Sequence, residues 1–152
     1  MNDTKGGIQM AITSKKIDVW AKKKKTAKLI KASSPNQTPE IRIAAIKALG
    51  NIENEAVMNK LIEYLRDPDP QIRLHSVEAL GNIGNPRSKE FVLYTSNNDS
   101  DEDVRKYAVE ALRKIKDKIQ NEEEQWIQII FLPLHNPLLQ CCFLSLHNPR
   151  QS

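Results

Sequence analysis

Apolar residues return along this chain at three- and four-residue steps, the spacing of one face of an α-helix. From Ser14 the series runs Ile17, Trp20, Ala21, Ala27 and Ile30, with Leu29 beside them. A lysine run, Lys22–Lys25, falls inside it and leaves open whether this is one helix or two. Further helices are predicted over 38–49, 54–66, 70–83, 87–96 and from about 101 to 118. Their boundaries carry recognisable punctuation. Thr38-Pro39-Glu40 and Asp69-Pro70 each offer a capping side chain followed by proline at the first helical position. Gly50-Asn51 and the Gly81–Pro86 stretch suit helix ends.

The pattern also repeats on a longer scale. Ile41-Arg42 opens a stretch that ends Ala48-Leu49-Gly50-Asn51-Ile52. Ile72-Arg73 opens one ending Ala79-Leu80-Gly81-Asn82-Ile83, and Val104-Arg105 opens one ending Ala111-Leu112, with Ile115 in the last place. The offsets are 31 and then 32 residues. Self-similarity at this period marks a solenoid. The fold class expected is therefore all-α, a short solenoid of about three helical hairpins. A single hairpin cannot bury its apolar stripe, but stacked hairpins share a core.

The repeat assigns roles to small and charged residues. Ala45, Ala48, Ser76, Ala79, Ala108 and Ala111 allow helices to approach closely, and Leu49, Leu80 and Leu112 fill the space between them. Arg42, Arg73 and Arg105 recur once per unit, with Asp67, Asp69, Asp99 and Asp101 in the acidic turns. A planar guanidinium suits a carboxylate partner, so these residues are expected to form a structural ladder between turns. In the third unit Gly-Asn gives way to Arg113-Lys114, a charged end that discourages further stacking.

Length and composition fit one globular domain: 152 residues, 39% hydrophobic, 28% charged and only 5% aromatic. The net charge of +4 is uneven. Residues 1–35 hold nine lysines against Asp3 and Asp18, while 36–118 is nearly balanced. Cys141 and Cys142 are adjacent, a poor geometry for a mutual disulfide. With no cysteine in the repeats, a reducing cytoplasmic setting is the expectation. Ile8–Ile12 is too short for a signal peptide core.

The run Asp67-Pro-Asp-Pro-Gln-Ile72-Arg73 to Val77-Glu78-Ala79-Leu80-Gly81-Asn82-Ile83 resembles the HEAT-like repeat. It is most similar to the short variety named after phycobilisome lyases, over about residues 17–118. The resemblance implies a scaffold or one of several enzyme branches. A hydroxylase of that family would need His-Glu pairs after the repeat arginines, and none is present. A DNA glycosylase branch uses more repeats, with aromatic and acidic side chains on a basic surface. A bilin lyase or isomerase subunit is longer and works with a partner.

The reading adopted is a protein-binding adaptor or scaffold without catalysis of its own, with no catalytic, metal or cofactor site. In this family the helices after the acidic turns line the binding face, so Lys47, His75, Glu78, Lys106 and Glu110 are the contact candidates. The alternatives are a bilin lyase-type subunit, or non-specific nucleic-acid binding through Lys22–Lys25. The absence of Arg from residues 1–35 argues against sequence readout. His75 stands alone in the repeats, whereas a zinc site wants about four donors.

The chain is thus divided into a flexible 1–13, a repeat domain 14–118 and a low-order tail 119–152. Trp126–Leu146 carries no charge over 21 residues, a membrane-span length, but prolines and polar residues interrupt it. Phe131–Pro137 and Phe143–Pro149 are near copies of each other, unrelated to the helical repeat. This tail is expected to be a non-native extension, and a membrane role is not expected. Cys141, Cys142, His135 and His147 lie within it without metal-site spacing.

Overall fold

A computed structural model describes residues 12–131. Seven α-helices and one 3-10 turn, with no strand, account for the regular structure among the described residues. They are α1 (Ser14–Lys22), α2 (Thr26–Ala32), α3 (Pro39–Leu49), α4 (Glu55–Tyr64), α5 (Pro70–Ile83), α6 (Lys89–Asn98) and α7 (Glu102–Phe131). The 3-10 turn, Pro86–Ser88, precedes α6. The chain forms two compact units, Met1–Lys116 and Asp117–Ser152.

The first unit is the solenoid. Its hairpins are α2–α3, α4–α5 and α6 with the first turns of α7. Contacts join α2 to α3 and α4 to α5 within hairpins, and α3 to α5 and α2 to α4 between them. Two helical layers result, one of first helices and one of second helices. Their shared core holds Leu29, Ile46, Leu49, Leu61, Ile72, Leu80, Val92, Val104 and Ile115, each with no exposed surface. Helix α1 packs on both α2 and α3 and buries Ile17, so it covers the open side of the first hairpin.

The lysine run resolves into a break between α1 and α2. The N–H of Lys25 donates to the Trp20 carbonyl at 2.9 Å, and that of Lys24 to Ala21 at 3.0 Å. This is the Schellman pair of bonds that ends a helix, a motif that places one residue in the left-handed region. Here that residue is Lys24, with φ 47°. A β-carbon there is strained by roughly 1 kcal/mol. Lys24→Gly should therefore raise stability by about 0.5–1 kcal/mol, read as a higher urea midpoint with an unchanged slope. A lower midpoint would show that the lysine side chain does something the backbone does not reveal.

Capping follows the sequence at one of the two expected sites, and α4 has a further cap at Asn54. Asp69 accepts from the N–H of Gln71 at 2.9 Å, and Asn54 accepts from Ala56 and Val57. Thr38 occupies the expected cap position of α3, but its hydroxyl makes no cap bond. Gly50 also departs from expectation. It lies in the right-handed region at φ −59°, so its flexibility is not what ends α3. Gly84 is the left-handed stop, at φ 66° after α5.

The largest departure concerns α7. The expected end near Lys118 is passed, and the helix continues to Phe131. Residues 119–131 are therefore helical rather than low-order. Glu and Gln supply six of its thirteen residues, and both propagate a helix well. Within the second unit, Trp126, Ile127 and Ile129 are exposed. Among the described residues, no helix is long and apolar enough to cross a membrane. The paired tail motifs and Cys141, Cys142, His135 and His147 lie outside the described residues, as do residues 1–11.

Candidate protein-binding surface

The arginines and aspartates of the ladder build the frame of the surface. Arg73 forks onto Asp99 of the next hairpin, with Nε to Oδ2 at 2.9 Å and Nη2 to Oδ1 at 2.8 Å. Its Nη1 donates back to the carbonyl of Asp67 in its own turn at 3.0 Å. Arg42 does the same one hairpin earlier, pairing through Nη2 with Asp67 and through Nε with the Ser33 carbonyl. Arg105 repeats only the backward half, from Nη1 to the Asp99 carbonyl.

Each aspartate also organises its turn. Oδ1 of Asp67 accepts from the Asp69 N–H at 3.0 Å, and Oδ1 of Asp99 from the Asp101 N–H at 2.9 Å. Asp101 then caps α7 through the N–H groups of Asp103 and Val104. Burial pushes the Asp99 carboxyl up, but the Arg73 hydrogen bond, the Asp101 N–H and the charges of Arg73 and Arg105 outweigh it. The group ends below the usual aspartate value. The hydrogen bond to Asp99 is likewise the main reason that Arg73 is raised. These pairs are nearly buried, with side-chain exposures of 11% and 6% for Arg73 and Asp99.

Helix spacing is set by two glycines. A β-carbon on Gly50 would lie 2.9 Å from Cα and Cβ of Ala79, and one on Gly81 would lie 2.8 Å from the same atoms of Ala111. Both are one repeat apart, and both face the small residue of the following hairpin. The close approach expected of the alanines is thus made jointly with glycine.

On this frame lies a groove of about 900 Å³ between α4 and α6. Ile62, Leu65, Phe91 and Tyr94 supply its apolar wall, with Arg66 and Glu90 as polar neighbours and the Arg73–Asp99 pair at the turn end. Phe91 is 45% exposed and Tyr94 70% exposed. Val92 and Thr95 are buried and anchor α6, and Thr95 also lines the groove. The sequence places Phe91, Val92 and Tyr94 together without separating the buried from the exposed. Phe91 and Tyr94 stand three apart, as do Val92 and Thr95, so helical spacing pairs them without telling which pair is buried.

The five contact candidates fall on the second helices. Lys47, Glu78 and Glu110 occupy one repeat position on α3, α5 and α7, and Lys47 and Glu110 are exposed. Glu78 and His75 are partly buried and bonded to each other at 3.1 Å. Lys106 falls at the repeat position of buried Leu74, not in the row of Lys47, and pairs with Glu102 at 2.9 Å. That hydrogen bond raises Lys106, and the hydrogen bond from Arg113 lowers Glu110. Cross-repeat contact is visible nearby, where Lys114 Nζ reaches Asn82 Oδ1 at 3.2 Å.

Residues 26–113 match the family model described as HEAT repeats. The chain belongs to the HEAT repeat family. The match spans the hairpins α2–α3 and α4–α5 and the third as far as Arg113, so the HEAT repeats coincide with the Arg–Asp ladder. No curated protein matches the chain. HEAT repeats commonly mediate interactions between proteins, which fits a surface made of rigid, repeated helices.

Proposed function

We propose that this HEAT repeat chain is a protein-binding module that acts by holding a partner and performs no catalysis. The observation that carries this reading is the exposed Phe91–Tyr94 pair over the α4–α6 groove. Exposed aromatic side chains lend large, stiff contact area, and Tyr is over-represented where partners dock. The frame beneath is locked by near-buried ion pairs, so little ordering entropy is spent on association. Lys47, Glu78 and Glu110, on the layer of second helices, offer a separate candidate contact row.

The test is affinity capture with the intact chain and a Phe91→Ala/Tyr94→Ala variant. Both substitutions remove exposed rings and leave the buried Val92 and Thr95 in place. A captured partner should bind the variant at least about tenfold more weakly, as for a pair of interface anchors. Unchanged binding would move the site off the groove. Turnover by the chain alone, or a coloured adduct on incubation with a bilin and its acceptor, would replace the binding reading with an enzymatic one. That second outcome is the one the phycobilisome-lyase-type resemblance would favour.

A further inference from the structure

The elbow between α1 and α2 carries charge that the repeat frame does not use. Lys22, Lys23, Lys24 and Lys25 follow one another through the break, and Lys28 and Lys31 follow on α2. All six are exposed. None pairs with a carboxylate among the described residues, whereas Arg42, Lys60, Arg73, Arg87, Lys106 and Arg113 each do. Lys28 and Lys31 stand three apart on one helix, a spacing at which like charges repel. The Lys28 ammonium also lies 5.7 Å from the centre of the Trp20 ring, placing an aromatic ring within the cluster.

We propose that this elbow docks the phosphate backbone of a nucleic acid without reading its sequence. The inference stands apart from the groove and does not depend on it. Three features select this partner. The cluster is made of lysine alone, and lysine binds phosphate as a point charge, while the near-buried carboxylates of this chain, Asp67 and Asp99, are held by arginine. That argues for phosphate over an acidic peptide. No arginine, asparagine or glutamine lies among residues 22–31 to read base edges. Val19, at 48%, is the only large apolar side chain of α1 or α2 that is strongly exposed, while Ile17 and Leu29 are buried. A membrane surface would therefore meet charge without an apolar foothold.

The experiment is fluorescence anisotropy of a labelled random-sequence DNA duplex titrated with the full chain. Binding at about 50 mM salt should fall steeply by 200 mM, with a log–log slope of about −3.6 to −4.5 if four or five lysines contact phosphates. Lys22→Gln, Lys23→Gln, Lys24→Asn and Lys25→Gln together should flatten that slope by about 3 to 4 and weaken binding at least tenfold. Replacing the same four lysines by arginine should leave affinity and slope close to the parent. Circular dichroism of both variants confirms that the helices persist. No binding at low salt, binding that survives the neutral variant, or loss of binding in a folded arginine variant would overturn the proposal. So would tighter association with phosphatidylserine vesicles than with the duplex.

Discussion

Asp99→Ala should destabilise the repeat unit by about 3 kcal/mol, the scale for removing one partner of a nearly buried pair. Three interactions go at once: both arms of the Arg73 fork and the bond that organises the Asp101 turn. The guanidinium of Arg73 is then left at 11% side-chain exposure without its carboxylate. An exposed pair of the same length but with a single contact, Arg87 with Glu55 at 2.8 Å, makes the comparison. Glu55→Ala should change stability by less than about 1 kcal/mol. Chemical denaturation of the two variants measures the contrast, and equal losses would show that burial of the ladder counts for nothing.

The same substitution has a signature in pH. The folded-state value of Asp99 is lowered, so the carboxylate is favoured by folding. Its contribution is full above the unfolded value of about 3.9 and fades as pH falls through the lower folded value. Asp99→Asn should flatten the acid limb of the stability curve while lowering stability near neutrality. An acid limb as steep as that of the parent chain would mean that other carboxylates carry the acid sensitivity.

Gly81→Ala should lower stability by about 2 kcal/mol, against the trend of helix propensity. In an open helix the change from Gly to Ala stabilises by up to about 1 kcal/mol. At position 81 the new methyl group would meet Cα and Cβ of Ala111 at 2.8 Å, and backbone cannot rotate away. Separating α5 from α7 to admit it is overpacking, which typically costs about 1–3 kcal/mol. The melting temperature should fall by several degrees for each kcal/mol lost. A rise in melting temperature would mean that the layers slide apart freely. Gly50→Ala should behave alike, since its β-carbon would stand 2.9 Å from Ala79.

The hairpin order and the identity of the ladder residues were legible because a 31- or 32-residue period repeats both the arginine and the aspartates. Period carries neighbour information: a residue that recurs once per unit meets its own kind in the next one. The roles of Gly50 and Gly81 were less legible. A glycine before asparagine at a helix end reads as a conformational stop, and only the packing shows that space, not φ, is what the site requires. Side-chain exposure on α6 was similarly hidden, because nothing in a single helix says which face receives a neighbour. Lys106 aligns by the repeat with Leu74, yet it is exposed where Leu74 is buried. No glycine or proline stands between Lys118 and Phe131, so the loss of the repeat signature at Arg113-Lys114 does not end α7.

The ladder has a direction. Arg42 finds its carboxylate on the second hairpin, and Arg73 finds its own on the third. No hairpin therefore contains both halves of its own fastening. Melting the third hairpin releases Arg73 and, with it, the restraint on the turn that presents Asp67 to Arg42. Disturbance entering at α6 or α7 can travel towards α2 one latch at a time. Neighbour-coupled units of this kind open as a sequence rather than as separate pieces.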